Sequence, residues 1–281
     1  MPAMTDSVLG LIAGEGRLPL LVAHGMRDRG FRVACVAFRG HAHPELEACC
    51  DQFTQVSLYR MGSWLKHLRR WGATEAVMVG RVAKTRMHDP WRLVRDIPDW
   101  RAIRLWYRRL RHDRRDRAVL AAVADELQRG GIALIDSTTH ISQHLAQAGQ
   151  LGGVAPTSAQ RADIDFGWPL LQSSADMGVG QAMAVREGDV IAVEAVEGTA
   201  AMIERAGALC PRRGWTLLKT ASHDHDNRAD VPTIGVETIK QLAAAGAGAV
   251  ALGAGRVILL DRDAVVQACD EVGLALFGMD T

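Results

Sequence analysis

The chain has 281 residues, of which 48% are hydrophobic and 23% charged, and its formal net charge is +1. This length and composition are typical of a globular protein with one large or two medium-sized domains and an apolar core. No stretch approaches the roughly 20 uninterrupted apolar residues of a membrane span, and the first residues do not resemble a secretory signal. We therefore expect a soluble cytoplasmic protein, attached at most to the surface of a membrane.

The cysteines argue for the same compartment. They are odd in number, and no pair has the CxxC spacing of a zinc or redox site. Disulfide frameworks and zinc sites both have recognisable spacings, so we expect reduced thiols in a reducing cytosol. The five residues are Cys35, Cys49, Cys50, Cys210 and Cys269.

The first half of the chain alternates short apolar runs with helical patterns. Runs that are continuously apolar, rather than alternating, are typical of a parallel sheet covered by helices on both faces. We predict an N-terminal Rossmann-like domain over residues 1–138. Its predicted strands lie at 8–13, 33–37, 76–79 and 132–135, and its predicted helices at 18–26, 61–71 and 118–127.

After Asp136 the sequence becomes more polar, and we place the domain boundary there. The second half contains a predicted hairpin, 181–185 with 190–195, joined through Glu187-Gly188, then a helix at 198–209 and a strand at 215–219. A long polar loop and further helix and strand pairs follow. We predict a C-terminal catalytic α/β domain over residues 139–281, so the fold class is α/β in two domains.

The turn Gly14-Glu-Gly16 follows the first predicted strand and opens a helix. Backbone N–H groups at such a turn can bind a phosphate. The dinucleotide fingerprint is incomplete, because Pro19 replaces the third glycine and no acidic residue ends the second strand. A nicotinamide oxidoreductase is therefore disfavoured, while a phosphate or nucleotide contact and a tight structural turn remain equal alternatives.

A basic and aromatic segment covers residues 81–117. It contains 13 lysines and arginines against 5 acidic residues, interleaved with Trp91, Trp100, Trp106 and Tyr107. This pattern is typical of a nucleic-acid or lipid interface. The alternative is a helix with solvated arginines and buried tryptophans.

The loop after the strand 215–219 contains the densest group of reactive side chains, with three carboxylates and two imidazoles between Lys219 and Gly235. Carboxylate oxygens suit Mg²⁺ or Mn²⁺, and Lys219 and Arg228 suit a phosphate. The residues therefore indicate metal-assisted phosphoryl chemistry. The alternative is a solvated loop in which Asp230 is the N-cap of a helix.

Acidic residues also follow the hairpin. Glu194 stands among apolar residues, so it should be paired or functional if it is buried. For Glu197-Gly198-Thr199 the residues alone favour turn and cap chemistry over a binding site.

These motifs, in this order along the chain, resemble the LpxI family, the UDP-2,3-diacylglucosamine pyrophosphatases of lipid A biosynthesis. The resemblance spans nearly the whole chain. It rests on residues 10–19, 79–82, 116–120, 179–181, 192–199, 226–235 and 255–262.

The resemblance implies a two-domain hydrolase that releases UMP and 2,3-diacylglucosamine 1-phosphate and requires Mg²⁺ (or Mn²⁺). It implies a homodimer that contacts the inner face of the inner membrane transiently and binds no nucleic acid. Two departures, Gly253 and Arg117, stand where the family usually has an acidic residue. They leave another UDP-sugar as an alternative substrate, and a basic membrane-surface or nucleic-acid binding protein is the non-enzymatic alternative.

The resemblance also implies the site. Asp230 is the implied catalytic residue and metal ligand, assisted by Asp226. The implied substrate-binding residues are Gly14, Gly16, Gly80, Gln181, Glu197, Gly198, Thr199, Lys219, Arg228 and Thr233.

Overall fold

The structure is a computed structural model that describes residues 7–81, 97–107, 111, 116–228 and 231–280. The described residues form two compact units. The first contains the residues up to Ile141 together with Asp226–Arg228, and the second contains Ser142–His225 and the residues from Val231 onward. Within these ranges, no helix is both long and apolar enough to cross a membrane.

The first unit is built on a five-stranded parallel sheet in the order β3-β2-β1-β4-β5. The strand order reverses direction between β1 and β4. The strands are β1 (Val8–Ala13), β2 (Arg32–Phe38), β3 (Gln52–Val56), β4 (Glu75–Val79) and β5 (Ala133–Leu134). The helices are α1 (Leu18–Asp28), α2 (Met61–Arg70), α3 (Trp100–Leu105) and α4 (Asp116–Arg129), with a 3₁₀ helix at Pro44–Cys49.

Burial explains why these strands were predictable. Five of the six residues in β1 and six of the seven in β2 are buried. Strands covered on both faces read as continuous apolar runs. The helix α2 is amphipathic as predicted, and its four buried residues lie three or four positions apart. They are Met61, Trp64, Leu65 and Leu68.

The second unit has a mixed six-stranded sheet in the order β6-β13-β11-β9-β7-β8, and a separate parallel pair, β10 with β12. The fold class, α/β with a parallel sheet in the first unit, is confirmed. The strands are β6 (Gly149–Gln150), β7 (Ala182–Arg186), β8 (Asp189–Val193), β9 (Trp215–Lys219), β10 (Thr233–Ile234), β11 (Ala247–Gly253), β12 (Ile258–Leu259) and β13 (Ala275–Met279). The helices are α5 (Ser158–Asp176), α6 (Thr199–Leu209), α7 (Val236–Ala245) and α8 (Arg262–Val272), with a 3₁₀ helix at Ser142–His144.

The predicted hairpin is confirmed. β7 and β8 pair antiparallel, and both residues of the connecting turn have positive φ, 52° at Glu187 and 75° at Gly188. Two successive residues with φ > 0 are the signature of the tight turn that matches the twist of a hairpin.

The helix α5, 19 residues long, was not predicted. It begins with a capping box formed by Thr157 and Gln160. Its apolar stripe is weak, because the buried face includes Asp163 and Gly167. A Cβ at Gly167 would lie 2.6 Å from Leu218, so the glycine lets the helix lie close to the sheet.

The alternative prediction, a helix that starts at Asp230, is wrong. Asp230 itself lies outside the described residues, but Thr233–Ile234 form strand β10, and the helix α7 begins at Val236 with Gly235 as its N-cap. β10 pairs with β12. This pairing overrides the local signal of an acidic residue before Val-Pro.

A buried histidine makes the stability of the first unit depend on pH. His140 is 5% exposed, neither ring nitrogen has a hydrogen-bond partner among the described residues, and its ring packs edge-on against Phe31. Burial, followed by the charge of Arg29, lowers the pKa of His140 below its ordinary value, against a smaller opposing effect of Glu75. The imidazole therefore stays neutral in the folded protein at a pH where the unfolded chain takes up a proton.

We expect the free energy of unfolding to fall as the pH drops below about 6.5, the ordinary pKa of histidine, because the unfolded state then binds the extra proton. His140→Phe should reduce this pH dependence in urea unfolding between pH 7.5 and 5.5. His24→Gln, at an exposed histidine, should leave it unchanged. An unaltered pH dependence in His140→Phe would contradict this account.

Candidate functional site

The glycine-rich turn lies at the carboxyl end of β1, where the strand order reverses between β1 and β4. The Gly14 amide donates to the Val79 carbonyl over 2.8 Å, and Glu15 forms an antiparallel bridge with Arg81. Open α/β sheets bind ligands in the crevice outside such a reversal. The fold therefore brings the predicted residues Gly14, Gly16 and Gly80 to one edge of the first unit.

The three glycines are needed for different structural reasons. A Cβ at Gly14 would lie 2.7 Å from the carbonyl oxygen of Gly80, and a Cβ at Gly80, where φ is +95°, would lie 2.8 Å from the Gly14 backbone. Gly14 and Gly80 thus allow two loops to touch. Gly16 has φ of +103° and no described atom within 4 Å of its Cβ position. Of the three, Gly16 faces open space, next to the amino end of α1.

The predicted residues Asp226 and Arg228 bind each other. Arg228 Nε donates to Asp226 Oδ1 over 2.8 Å, and Arg228 Nη2 donates to Oδ2 over 2.6 Å. The Asp226 carboxylate raises the pKa of Arg228 above its ordinary value. Both side chains remain one-third or more exposed, 33% for Asp226 and 43% for Arg228. A phosphate that recruited Arg228 would therefore compete with this carboxylate.

Asn227, between these two residues, fixes the segment to the end of β5. Its carbonyl accepts from the Ser137 amide over 2.9 Å and from the Ser137 hydroxyl over 2.7 Å. Its side-chain amide donates to Asp136 Oδ2 over 3.3 Å. Asp136 also accepts from the Thr138 amide and hydroxyl, each over 2.7 Å. The segment 226–228 therefore lies at the carboxyl edge of the first sheet, as the glycine turn does.

The carboxylate and carbonyl oxygens at this edge are the kind of ligand that Mg²⁺ prefers. Across the ranges that the structure describes, however, no three His, Cys, Asp or Glu side chains group as a metal site. Asp226 is engaged by Arg228, and Asp230 falls outside those ranges. The described residues alone do not form a complete ligand set.

A buried polar network joins three residues of the second unit. Lys219, 5% exposed at the end of β9, donates from Nζ to Thr199 Oγ1 over 2.7 Å. Thr199, the first residue of α6, donates in turn to Glu194 Oε1 over 2.7 Å. The second oxygen, Oε2, lies 4.0 Å from Lys219 Nζ. Glu194, whose side chain is 14% exposed, is thus paired through Oε1, while Oε2 accepts no hydrogen bond from the described residues.

The network supplies a desolvated positive charge balanced by one carboxylate. Burying an ammonium group is costly unless it is paired and hydrogen-bonded. Glu194 and Thr199 provide that pairing for Lys219. Such a preorganised charge can stabilise the negative charge of a phosphate more strongly than a solvated lysine can.

Three other predicted residues surround this network. The Gln181 carbonyl accepts from the Thr220 amide next to Lys219. Gly198 is the N-cap of α6, with φ of 82°. Glu197 forms an ion pair with Arg205 and accepts from the Ala195 amide. A backbone hydrogen bond within Glu197 and the contact with Arg205 hold the pKa of Glu197 below its ordinary value. Glu197 and Gly198 thus have the turn and cap contacts that the residues alone favoured.

Thr233 and Gly253 lie on other strands of this unit. Thr233 is half-buried in β10, paired with Ile258. Gly253 ends β11, and a Cβ there would lie 2.3 Å from Thr220 Oγ1. An acidic side chain at position 253 would have to displace Thr220, because the Thr220 hydroxyl occupies the space that the side chain would need. The side chain of Arg117, the other departure, is not among those that the structure describes.

Two carboxylates near these residues were not predicted. Asp136 follows the predicted strand 132–135, and an acid at the carboxyl end of a strand is a signal that could have identified it. Asp176 lies at the end of the unpredicted helix α5 and pairs over 2.9 Å with the ring of the exposed His223, one of the two imidazoles noted in the loop. Two hydrogen bonds from His223, the backbone one first, lower the pKa of Asp176.

The fold and these groups define a two-unit α/β protein whose first unit is Rossmann-like, with an open glycine turn at its strand reversal. Comparison with known proteins identifies the family. The LpxI N-terminal domain matches residues 8–144, and the LpxI C-terminal domain matches residues 147–277. The chain belongs to the LpxI family.

A curated relative supports the same assignment. The chain is 32% identical over 280 residues to the UDP-2,3-diacylglucosamine pyrophosphatase LpxI of Caulobacter vibrioides. The alignment covers 97% of both chains. The resemblance predicted from the motifs is therefore confirmed at the level of the family.

Proposed function

We propose that the protein hydrolyses the pyrophosphate bond of UDP-2,3-diacylglucosamine in lipid A biosynthesis, releasing UMP and 2,3-diacylglucosamine 1-phosphate. The observation that carries this proposal is the match over 97% of both chains to a relative named for that pyrophosphatase activity. The proposal includes a homodimer in the cytoplasm that meets its lipid substrate at the inner face of the inner membrane.

The proposed roles follow from the chemistry of each residue. Asp230 acts as the base that aligns and deprotonates water, with Asp226 assisting. Lys219 and Arg228 neutralise charge on the two phosphates, and backbone amides at the Gly16 turn contact a phosphate or the nucleotide. One P–O bond forms from water to phosphorus, and the bridging P–O bond to UMP breaks.

The buried network supports the role of Lys219. Its ammonium is held between the Thr199 hydroxyl and the Glu194 carboxylate, so its position is set before substrate arrives. A fixed charge costs no reorganisation when negative charge develops in the transition state.

The direct test is to incubate the purified protein with UDP-2,3-diacylglucosamine and Mg²⁺ and to measure UMP. UDP-N-acetylglucosamine serves as the matched substrate, because it has only an acetyl group on N2 and no acyl chain on O3. We expect UMP from the diacylated substrate and little from the other. Faster hydrolysis of UDP-N-acetylglucosamine than of the diacylated substrate would indicate that the substrate is another UDP-sugar. No hydrolysis of either substrate would contradict the proposed enzyme class.

We also propose that turnover requires Mg²⁺ or Mn²⁺, because the candidate ligands, Asp226 and Asp230, are carboxylates. When bound, such an ion would neutralise charge on the pyrophosphate. Excess EDTA should abolish UMP release, and Mg²⁺ or Mn²⁺ should restore it better than Zn²⁺, which favours nitrogen and sulfur ligands. Full activity in EDTA would contradict the metal requirement.

A further inference from the structure

Five large apolar or aromatic side chains in and next to the helix α3 are exposed. Trp100 is 74% exposed, Tyr107 66%, Ile97 59%, Trp106 49% and Ile103 45%. The alternative prediction that the tryptophans of this segment are buried is wrong for Trp100 and Trp106. Residues three or four positions apart share a helix face, so Trp100, Ile103 and Tyr107 form a stripe. We call the five exposed residues together the aromatic stripe: Ile97, Trp100, Ile103, Trp106 and Tyr107.

The two arginines of α3 pair with a buried carboxylate. Arg101 Nη1 and Arg104 Nη2 donate to Glu126 Oε1 over 2.9 and 3.0 Å, and Arg129 Nη1 donates to Oε2 over 2.9 Å. Glu126 is 1% exposed. Burial alone would raise the pKa of Glu126, but the hydrogen bond from Arg129 and the charges of Arg104 and Arg101 outweigh it, so the pKa is lowered.

The two ends of the helix are also fixed. Asp99 caps its amino end by accepting from the Ala102 amide over 2.9 Å, and it accepts from the Gly62 amide of α2 over 2.5 Å. Leu105 is buried in the core of the first unit. An ordinary surface helix buries its apolar face and exposes its charges. In and beside α3 the large apolar side chains are exposed instead, while Arg101 and Arg104, still 41% and 38% exposed, are held by Glu126. This exposed apolar surface indicates a site for a partner.

The charge of the segment selects the kind of partner. Residues 81–117 carry an excess of eight positive charges, from 13 lysines and arginines against 5 acidic residues. Arg111 is exposed, and its guanidinium lies 4.7 Å above the Tyr107 ring. The partner is therefore negatively charged. A second copy of this chain would bring the same positive excess to the contact.

The aliphatic members of the stripe favour lipid over nucleic acid. Ile97 and Ile103 can neither pair with a phosphate nor stack on a base, but both gain from burial at the edge of a hydrocarbon layer. Tryptophan and tyrosine prefer the boundary between lipid headgroups and acyl chains. We propose that the aromatic stripe docks on the surface of an anionic phospholipid bilayer, to which the positive excess of residues 81–117 attracts it. This proposal rests on the membrane contact that the proposed function includes and names the surface that makes it; vesicle binding without substrate tests it separately from hydrolysis.

The test is sedimentation of the full chain with vesicles of phosphatidylglycerol and phosphatidylcholine, without substrate. The triple variant Trp100→Ser, Trp106→Ser, Tyr107→Ser should bind these vesicles about tenfold or more weakly, because interfacial binding scales with buried apolar area. The matched control is Val196→Ser with Leu209→Ser, which removes side chains that are 98% and 61% exposed elsewhere. The control should bind as the unmodified protein does.

Two further measurements distinguish insertion from simple attraction. Phospholipids brominated on their acyl chains should quench tryptophan fluorescence, and the variant Trp100→Phe, Trp106→Phe should keep vesicle binding but lose most of the quenching. Binding should weaken with added salt and with neutral vesicles. Equal vesicle binding by the triple serine variant and the unmodified protein would overturn the proposal. The proposal would also be overturned if the triple serine variant lost self-association or oligonucleotide binding while its vesicle binding was unchanged.

Discussion

Replacing Asp230 by asparagine is expected to reduce UMP release to less than a tenth of the unmodified rate, a loss of more than about 1.4 kcal/mol of transition-state stabilisation. The substitution removes a negative charge and a proton acceptor without changing the shape of the side chain. Folding and substrate affinity should therefore be largely retained. The measurements are kcat from UMP release, thermal unfolding, and titration with substrate.

Asp224→Asn is the matched control, because Asp224 is an exposed carboxylate of the same loop. It should retain most of the activity. If Asp230→Asn kept more than about a tenth of the rate, Asp230 would not be the base. Equal losses in both variants would indicate that the total charge of the loop matters, rather than one carboxylate.

The second large effect is expected at Lys219. Lys219→Met should lower kcat about 10²–10³-fold, the cost typical of removing one preorganised group that stabilises developing negative charge. Methionine preserves the length of the buried side chain and removes its charge. Lys240→Met, at an exposed lysine of α7, should have little effect.

The Lys219 variant leaves Glu194 buried without its cation, which lowers stability. The double variant Lys219→Met, Glu194→Gln should recover part of that stability in urea unfolding, because the remaining carboxylate charge is gone. It should not recover kcat. Recovery of turnover together with stability would mean that Lys219 has a structural role only.

The strands that their apolar runs alone could predict are those that are largely buried. The strands β1, β2, β4 and β9 are apolar runs because both of their faces are covered, and the predictions for them agree with the structure within a few residues. Strand β3 was not predicted, because Gln52–Val56 is largely half-buried and includes two glutamines. Such strands carry no continuous apolar signal.

The misplaced helix start shows how tertiary pairing overrides a local signal. An acidic residue before Val231-Pro232 resembles an N-cap followed by proline in the first turn. The structure instead uses Thr233–Ile234 as a strand beside Ile258–Leu259. No property of residues 230–235 alone indicates that partner, which lies more than twenty residues further along the chain.

The candidate site also has one part that the sequence could predict and one that it could not. The glycine turn was recognisable because it follows a strand and opens a helix, although its residues could not show that Gly14 and Gly80 serve the contact between two loops. The network of Lys219, Thr199 and Glu194 joins residues from β9, α6 and the end of β8. The sheet order β9-β7-β8 brings them together, and this order cannot be read from the spacing of the residues.

The most direct test of the proposed reaction is turnover of UDP-2,3-diacylglucosamine in H₂¹⁸O, followed by mass measurement of both products. Hydrolysis places one oxygen from water on one phosphorus atom. UMP is a good leaving group once its phosphate charge is neutralised, so the resemblance to the family implies attack at the phosphorus on the sugar side. We predict a single ¹⁸O atom in 2,3-diacylglucosamine 1-phosphate and none in UMP. Label in UMP would contradict the proposed direction of attack, and unlabelled products would contradict hydrolysis itself.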